Sequence, residues 1–158
     1  MAEIIKYLLL FDPNGSARVH DTNQMYHLHV ACEEYGVNLN TVKLLFDVYP
    51  NAIYEMENSR ALPVTLAMNR GDARGKYIAE YLTDQLNVIH RVTACTSAQL
   101  PLHRALHENV SLGAIKLIMK DYPAPIHTSN DDGVFPLHIA CEHTSVDIVK
   151  YLIDQDDS

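Results

Sequence analysis

The chain has no tryptophan, few cysteines and no long hydrophobic run. Its 3 cysteines, Cys32, Cys95 and Cys141, are sparse and odd in number, as is typical of free thiols in a reducing compartment. The apolar start is short and contains Glu3 and Lys6, which argues against a signal peptide. No stretch approaches the roughly 18 apolar residues that cross a membrane. These absences predict an intracellular protein, in the cytoplasm or nucleus, that does not enter a membrane.

Basic side chains are scarce as well. The 158 residues include 12 Lys and Arg against 20 Asp and Glu, for a formal net charge of −8. Binding to a nucleic-acid backbone depends on Lys and Arg that neutralise phosphates, so this balance disfavours a nucleic-acid partner. Apolar residues make up 47% of the chain and charged residues 20%, which is the composition of a globular domain with a buried core.

Four similar hexapeptides recur along the chain, separated by 36, 38 and 35 residues. They are HLHVAC (27–32), PVTLAM (63–68), PLHRAL (101–106) and PLHIAC (136–141), with His29, Thr65, His103 and His138 at the equivalent position. Proline opens three of them, which suits the first turn of a helix because its missing N–H has no partner there. Each hexapeptide therefore predicts the start of a short helix.

A second recurring pattern is apolar with a helical period and predicts a longer helix with one buried stripe. Its members are IKYL (5–8), VKLL (42–45), AEYL (79–82), IKLI (115–118) and VKYL (149–152). Tyr-Pro at 49–50 and 122–123 predicts the end of that helix. Polar tips precede each hexapeptide. The repeating unit is therefore a polar turn, a short helix, a loop, a longer helix and a stop.

This unit resembles the ankyrin repeat, whose first helix opens with Thr-Pro-Leu-His-x-Ala. The segment NDDGVFPLHIACEHTSVDIVKYLI at 130–153 matches that pattern without an insertion. The tetratricopeptide repeat has a similar period, but its tryptophan is missing here. The resemblance implies an all-α, ankyrin-like solenoid of stacked antiparallel helix pairs with short turns, in a single domain over 1–158. The predicted bounds are a partial leading repeat at about 3–13 and repeats at about 21–50, 57–86, 95–123 and 130–158.

The two ends of the array are as apolar as its middle. Terminal repeats normally carry a polar outer face, because an uncovered end exposes apolar surface. We therefore expect that 1–158 is an excerpt of a longer array or of a larger protein.

The sequence also departs from the family pattern in three ways. The threonine before proline is replaced by Tyr26, Leu62, Leu100 and Phe135, so packing must replace the hydrogen bond of its hydroxyl. The turn glycine survives as Gly133 and is replaced by Gln24, Arg60 and Ala98, which weakens the usual turn. The loop after the hexapeptide is longer in the first three units, and we expect irregular loops around RGDARG at 70–75.

The resemblance implies that His29, His103 and His138 are structural and bond backbone across neighbouring repeats. It also implies that Cys32 and Cys141 face the core, whereas Cys95 lies in a turn. A zinc site needs four ligands at about 2.0–2.3 Å, and each unit offers one histidine and one cysteine.

His103 and His107 lie at i, i+4 and could bind a metal, but Arg104 stands where a metalloprotease has glutamate. No catalytic residue, metal ligand or cofactor is predicted, and the chain is not expected to be an enzyme. A nucleic-acid adaptor, a His/Cys-dependent enzyme and a metal-binding protein remain as alternatives.

The resemblance points instead to a protein–protein interaction module with an acidic concave face. The partner-facing positions in that register are Thr22, Asn23, Met25, Glu33, Glu34, Asn58, Ser59, Ala61, Asn69, Arg70, Thr96, Ser97, Gln99, His107, Glu108, Asp131, Asp132, Val134, Glu142 and His143. Six of them are acidic and one, Arg70, is basic, which gives a net charge of −5 at these positions. We expect a monomeric domain that attracts a protein partner with a basic segment.

Overall fold

The computed structural model describes residues 25–94, 100–122 and 124–156. Within those ranges it contains eight α-helices and no β-strand, so the predicted all-α helical repeat fold is confirmed. The chain divides into two compact units, residues 1–84 and 85–158. The prediction of one domain over the whole chain stays a prediction.

The first unit holds two short helices, each followed by a longer one. Its elements are α1 (His27–Glu33), α2 (Leu39–Val48), a 3-10 helix (Pro50–Tyr54), α3 (Pro63–Asn69) and α4 (Ala73–Thr93), which continues past the division at 84. Helix α1 contacts both α2 and α3. The large apolar side chains that are fully buried in this unit are Leu28, Phe46, Ile53, Ile78 and Leu82.

The second unit repeats this order. Its elements are the end of α4, then α5 (Pro101–His107), α6 (Leu112–Asp121), a 3-10 helix (Ala124–His127), α7 (Pro136–His143) and α8 (Val146–Asp156). Helix α5 contacts α6 and α7, and α6 contacts α8. Its fully buried large side chains are Leu102, Leu106, Ile115, Ile118, Ile148 and Leu152. Each such side chain contributes about 1.5–3 kcal/mol through burial.

The helix boundaries follow local chemistry. Proline occupies the first turn of α3, α5 and α7, as the hexapeptides predict. The longer helices begin with side-chain caps: Asn38 Oδ1 accepts from the amide of Thr41 at 3.0 Å, and Ser111 Oγ accepts from Ala114 at 3.3 Å. Such a cap satisfies an amide that the helix itself leaves without a partner.

The Tyr-Pro segments end the longer helices in the same way in both units. Tyr49 has φ −131° and ψ 76°, and Tyr122 has φ −133° and ψ 73°. Neither conformation is helical, because the residue before a proline is pushed out of the α region. A 3-10 helix follows in each case, and the predicted stop is confirmed.

The connection around RGDARG is short, which corrects the expectation of an irregular loop there. Helix α3 ends at Asn69 and α4 begins at Ala73, so the extra residues of this repeat lie in α4, which is 21 residues long. Asp72 caps α4 by accepting from the amide of Gly75 at 2.8 Å, and Gly71 turns the chain with φ +68°. A cap and a glycine turn together allow a tight bend.

Gly75 is the position where this bend tolerates no side chain. A Cβ at Gly75 would lie 2.5 Å from the carbonyl oxygen of Ala67, whereas a Cβ at Gly36 would meet nothing within 4 Å. We therefore expect Gly75→Ala to lower the free energy of unfolding by about 1–3 kcal/mol. Gly36→Ala is the matched control and should leave it unchanged or raise it slightly. Urea denaturation of both variants measures this, and equal stability of the two would contradict the close approach.

Candidate protein-binding groove in the second unit

A buried histidine holds the turn of the last repeat against helix α5. His103 is 4% exposed, and its Nε2 lies 3.1 Å from the carbonyl oxygen of Val134. Burial lowers the pKa of His103, and the hydrogen bond to Val134 only partly opposes that shift. The ring is therefore neutral at neutral pH, and its Nε2–H donates to the carbonyl. The prediction that His103 bonds backbone across repeats agrees with this contact.

The turn itself is held by the side chain of Asn130. Its Oδ1 accepts from the amides of Asp132 at 3.1 Å and Val134 at 2.9 Å. Gly133 supplies the left-handed residue of the turn with φ +76°. Because these bonds close the turn inward, the side chains of Asp131 and Asp132 remain exposed at its tip.

Helix α5 and this turn border an open groove of about 370 Å³. It is lined by Leu100, His103, Arg104, His107, Glu108, Asn130, Asp131 and Asp132. The groove thus combines one apolar side chain with several polar ones on a rigid helix and a closed turn. Four of the predicted partner-facing residues, His107, Glu108, Asp131 and Asp132, lie together here.

The acidic residues of the groove differ in how they are paired. Glu108 forms an ion pair with Arg104 at 3.0 Å and another with Arg91. Burial alone would raise the pKa of Glu108, but hydrogen bonds from Arg104 and Arg91 outweigh it and hold that pKa below its usual value. In the described part of the chain, no ion pair joins Asp131 or Asp132 to a cation. The uncompensated negative charge therefore belongs to the turn tip.

Two exposed histidines, His107 on α5 and His143 on α7, lie next to each other at this surface. The ring centroids of His107 and His143 are 5.2 Å apart, with the rings tilted by 45°. His143 Nε2 lies 3.7 Å from a carboxylate oxygen of Glu142. The sequence placed all three residues on the partner-facing surface, and the structure brings them next to the groove through His107.

The first unit builds an equivalent turn from different side chains. The carboxylate of Glu57 accepts from the amides of Ser59 at 2.8 Å and Ala61 at 3.3 Å, as Asn130 does in the second unit. Arg60 takes the left-handed conformation of Gly133, with φ 63°. Hydrogen bonds from the Ser59 side chain and amide lower the pKa of Glu57. The predicted weakening of the turn is therefore offset by a side-chain acceptor.

A protein-family model for the ankyrin repeat matches residues 132–157. That range contains the tip residue Asp132 and both helices of the last repeat. The chain carries an ankyrin repeat.

Two curated relatives point the same way. The chain is 48% identical over 52 residues to protein phosphatase 1 regulatory subunit 27 of Mus musculus, and equally so to that of Homo sapiens. Each alignment covers 31% of this chain, and the chain spans about a third, 33%, of the relatives' own length. The predicted resemblance to the ankyrin repeat family is confirmed. Such repeats are protein-interaction modules, and the chain contains one.

The packing expected in place of the family's threonine is present in two ankyrin-like turns. The ring of Tyr26 stacks on His29 with centroids 5.7 Å apart, and on Tyr49 at 5.5 Å. Phe135 meets His138 edge to face at 5.8 Å. An aromatic ring therefore supports the histidine where a hydroxyl would otherwise bond it.

Two predicted partner-facing residues, Met25 and Arg70, are buried, which corrects their assignment. Met25 is 6% exposed and lies in the core of the first unit. Its equivalents Ala61 and Val134 are half-buried, so this position of the ankyrin register faces partly inward. The long apolar side chain of Met25 is therefore buried at this position.

Arg70 is buried because it has partners within the chain. Its guanidinium binds both carboxylate oxygens of Asp72 at 3.0 Å, donates to the carbonyl of Tyr35 at 3.3 Å and lies 5.3 Å from the centre of the Tyr35 ring. Burial of a charged side chain requires such pairing. The two charged side chains of the Arg-Gly-Asp segment at 70–72 therefore bind each other and form a local clamp.

The remaining predicted positions divide by exposure. Exposed are Glu33, Glu34, Asn58, Ser59, Asn69, His107, Glu108, Asp131, Asp132, Glu142 and His143. Thr22, Asn23, Thr96, Ser97 and Gln99 lie outside the described residues. Their role in binding stays a prediction.

Cys32 and Cys141 differ in their exposure. Burial raises the pKa of Cys32 to about 12, so its thiolate is not available as a nucleophile. Cys141 is exposed, which corrects the expectation that it faces the core. Cys95 lies outside the described residues.

Among the described residues there is neither a group of metal ligands nor a helix that could span a membrane. His103 Nε2 is bonded to the carbonyl of Val134, so this nitrogen is not free to bind a metal together with His107. No group of three or more His, Cys, Asp or Glu in residues 25–94, 100–122 and 124–156 could hold a metal ion. No helix of those ranges has the length and apolarity needed to cross a membrane.

The buried histidines predict a dependence of stability on pH. Burial lowers the pKa of His29 and of His103 below the ordinary 6.5, so both rings are neutral in the folded state. Below pH 6.5 the unfolded chain takes up protons that the folded chain does not, so stability present above that pH is lost as the pH falls. We expect the free energy of unfolding in urea to decrease from about pH 7.5 to about pH 5.5.

The substitution His29→Gln should make this dependence shallower. His90→Gln is the control, because His90 is exposed on α4 and its replacement should leave the slope unchanged. A free energy of unfolding that stays constant or rises on acidification would refute the assignment of neutral rings.

Proposed function

We propose that the chain is a non-catalytic protein-interaction module, and that the groove between α5 and the turn at 130–134 receives a basic segment of a protein partner. The observation that carries this proposal is the pair Asp131 and Asp132, exposed at the tip of a closed turn beside an open groove. Their charge is not offset by a cation of the described residues. A Lys or Arg side chain in the groove could pair with the carboxylates of Asp131 and Asp132 without rearrangement of either side chain.

The paired charges of the groove support this proposal further. Arg91 and Arg104 hold Glu108 in place, so this carboxylate is a fixed neighbour rather than a free one. Leu100 offers the aliphatic stem of a Lys or Arg side chain an apolar contact. Charge complementarity of this kind acts mainly on the association rate and falls with added salt. We propose that the chain acts inside the cell, as a monomer, without nucleic acid.

The names of the relatives suggest a first partner to test. They are regulatory subunits of protein phosphatase 1, and the aligned part covers about a third of this chain, 31%. We propose that enzyme as the first probe. Retention of the phosphatase on the immobilised chain, weakened by high salt, is the expected result.

A partner-independent test uses selection from a random peptide library displayed on phage. Peptides enriched on the full chain should carry Lys or Arg and should compete with one another for one site. The variant Asp131→Asn/Asp132→Asn removes two charges while keeping the size of both side chains. We expect it to lower the association rate constant of such peptides at low salt by about three- to tenfold.

The matched control is Asp121→Asn/Asp154→Asn, which removes the same charge from exposed positions on α6 and α8. Surface plasmon resonance should give unchanged rates for it. Selected peptides that lack basic residues, or that bind all three proteins at the same rate, would refute the acidic groove as the binding site.

A further inference from the structure

The two sides of the α5 groove differ in charge. Asp131 and Asp132 form its acidic side at the turn tip, whereas Arg104 and His107 line the side formed by helix α5, named here the helix side. Arg104 and His107 lie three residues apart and therefore share one face of that helix. The proposed function assigns the acidic side to a basic residue of the partner, but it assigns no partner group to Arg104 or His107.

The carboxylate of Glu108, which also lines the helix side, is paired with two arginines. Arg104 Nε donates to its Oε1 at 3.0 Å, and Arg91 Nη2 donates to its Oε2. The side chain of Glu108 is 27% exposed, that of Arg104 30% and that of Arg91 57%. A molecule that enters from solvent therefore meets more guanidinium than carboxylate, and this cluster of two cations and one anion is positively charged.

The helix side has the donors that a carboxylate requires. A guanidinium carries five N–H donors in a planar fork, so an arginine that is paired with one carboxylate can still bind a second one. His107 adds an exposed imidazole beside Arg104, and the centroid of the His143 ring lies 5.2 Å from that of His107. Glu142, the acidic residue next to His143, is not among the described residues that line the groove. The helix side therefore suits an anion, whereas the turn tip suits a cation.

We propose that the groove recognises a segment of mixed charge, in which an Asp or Glu binds Arg104 while a nearby Lys or Arg binds the turn tip. This inference rests on the proposed function, because the turn tip must receive the basic residue for the acidic one to reach the helix side. A purely basic segment would place a cation next to Arg104, and such a contact between like charges lowers the affinity.

The relative position of the two sides is fixed by a hydrogen bond. His103 Nε2 on α5 and the carbonyl oxygen of Val134 in the turn are 3.1 Å apart. Because both sides are held in this way, the acidic and basic residues of the partner must keep a constant order and spacing.

Peptide selection on the full chain tests this charge pattern. Peptides enriched from a random library should carry an Asp or Glu at a constant offset from their Lys or Arg. One enriched peptide is then synthesised in three forms: as selected, with its acidic residue replaced by the corresponding amide, and with its basic residue replaced by glutamine. Isothermal titration calorimetry gives the Kd of each form for the wild-type chain and for Arg104→Gln.

The amide form should bind the wild-type chain about threefold to tenfold more weakly than the selected peptide, because it loses the charge-assisted pair with Arg104. On Arg104→Gln the selected peptide should lose this advantage, since the pair is then absent for both forms. Lys150→Gln is the matched control, because it removes one positive charge from an exposed position on α8. With that variant the difference between the two peptides should stay as it is with the wild-type chain.

Equal affinity of the selected peptide and its amide form for the wild-type chain would overturn the mixed-charge inference and leave the proposed basic segment in place. Enriched peptides with basic residues but no acidic residue at a constant offset would have the same meaning. The wild-type chain alone decides this point, so the result does not depend on the folding of Arg104→Gln. If replacement of the basic residue leaves the affinity unchanged, the proposed acidic groove is wrong, and this inference is wrong with it.

Discussion

The structure depends on a buried, neutral imidazole that links one repeat to the next. At His29 the link has two ends, because Nδ1 accepts from the amide of Tyr26 and Nε2 donates to the carbonyl of Glu55. At His103 the Nε2 donor reaches Val134. Such a bond adds about 0.5–1.5 kcal/mol, but it has a larger effect on geometry, since it fixes a turn on the helix of the preceding repeat. The position of Asp131 and Asp132 follows from it.

The two turns achieve the same backbone with different side chains. Asn130 and Glu57 both accept from amides two and four residues later, and Gly133 and Arg60 both take the left-handed conformation. What differs is the tip, which carries Asn58 and Ser59 in the first unit and two aspartates in the second. The acidic character therefore belongs to one turn rather than to every repeat, which is the kind of difference that lets repeat proteins distinguish partners.

The features that sequence predicts well are those set by nearby residues. Proline at the start of the short helices, the Tyr-Pro stops and the backbone contacts of His29 and His103 all follow from local chemistry repeated along the chain. The ion pair between Arg104 and Glu108 could also have been predicted, since Arg104 lies four residues before Glu108 on one helix face. AEYL at 79–82 predicted helix α4, but not its length of 21 residues or its start at Ala73, because the cap formed by Asp72 and the close approach at Gly75 depend on how α3 and α4 meet.

The burial of Arg70 and the pairing of Arg91 with Glu108 are long-range outcomes. Arg70 is buried by Tyr35, 35 residues earlier, and Arg91 reaches Glu108 from a different helix. The helical period gives no sign of either contact, and the charge of the predicted surface changes because of both. Sequence therefore located the turn tip correctly as an exposed acidic feature and overestimated the acidity of the helix beside it.

The central claim is tested most directly by the protonation state and the hydrogen bond of His29. Nuclear magnetic resonance of the full chain with ¹⁵N- and ¹³C-labelled histidine and backbone reports both. The structure predicts a neutral ring with its proton on Nε2, slow exchange of that proton with solvent, and a coupling through the hydrogen bond to the carbonyl carbon of Glu55. A ring protonated on Nδ1, or a charged ring at neutral pH with a rapidly exchanging Nε2 proton, would contradict the account.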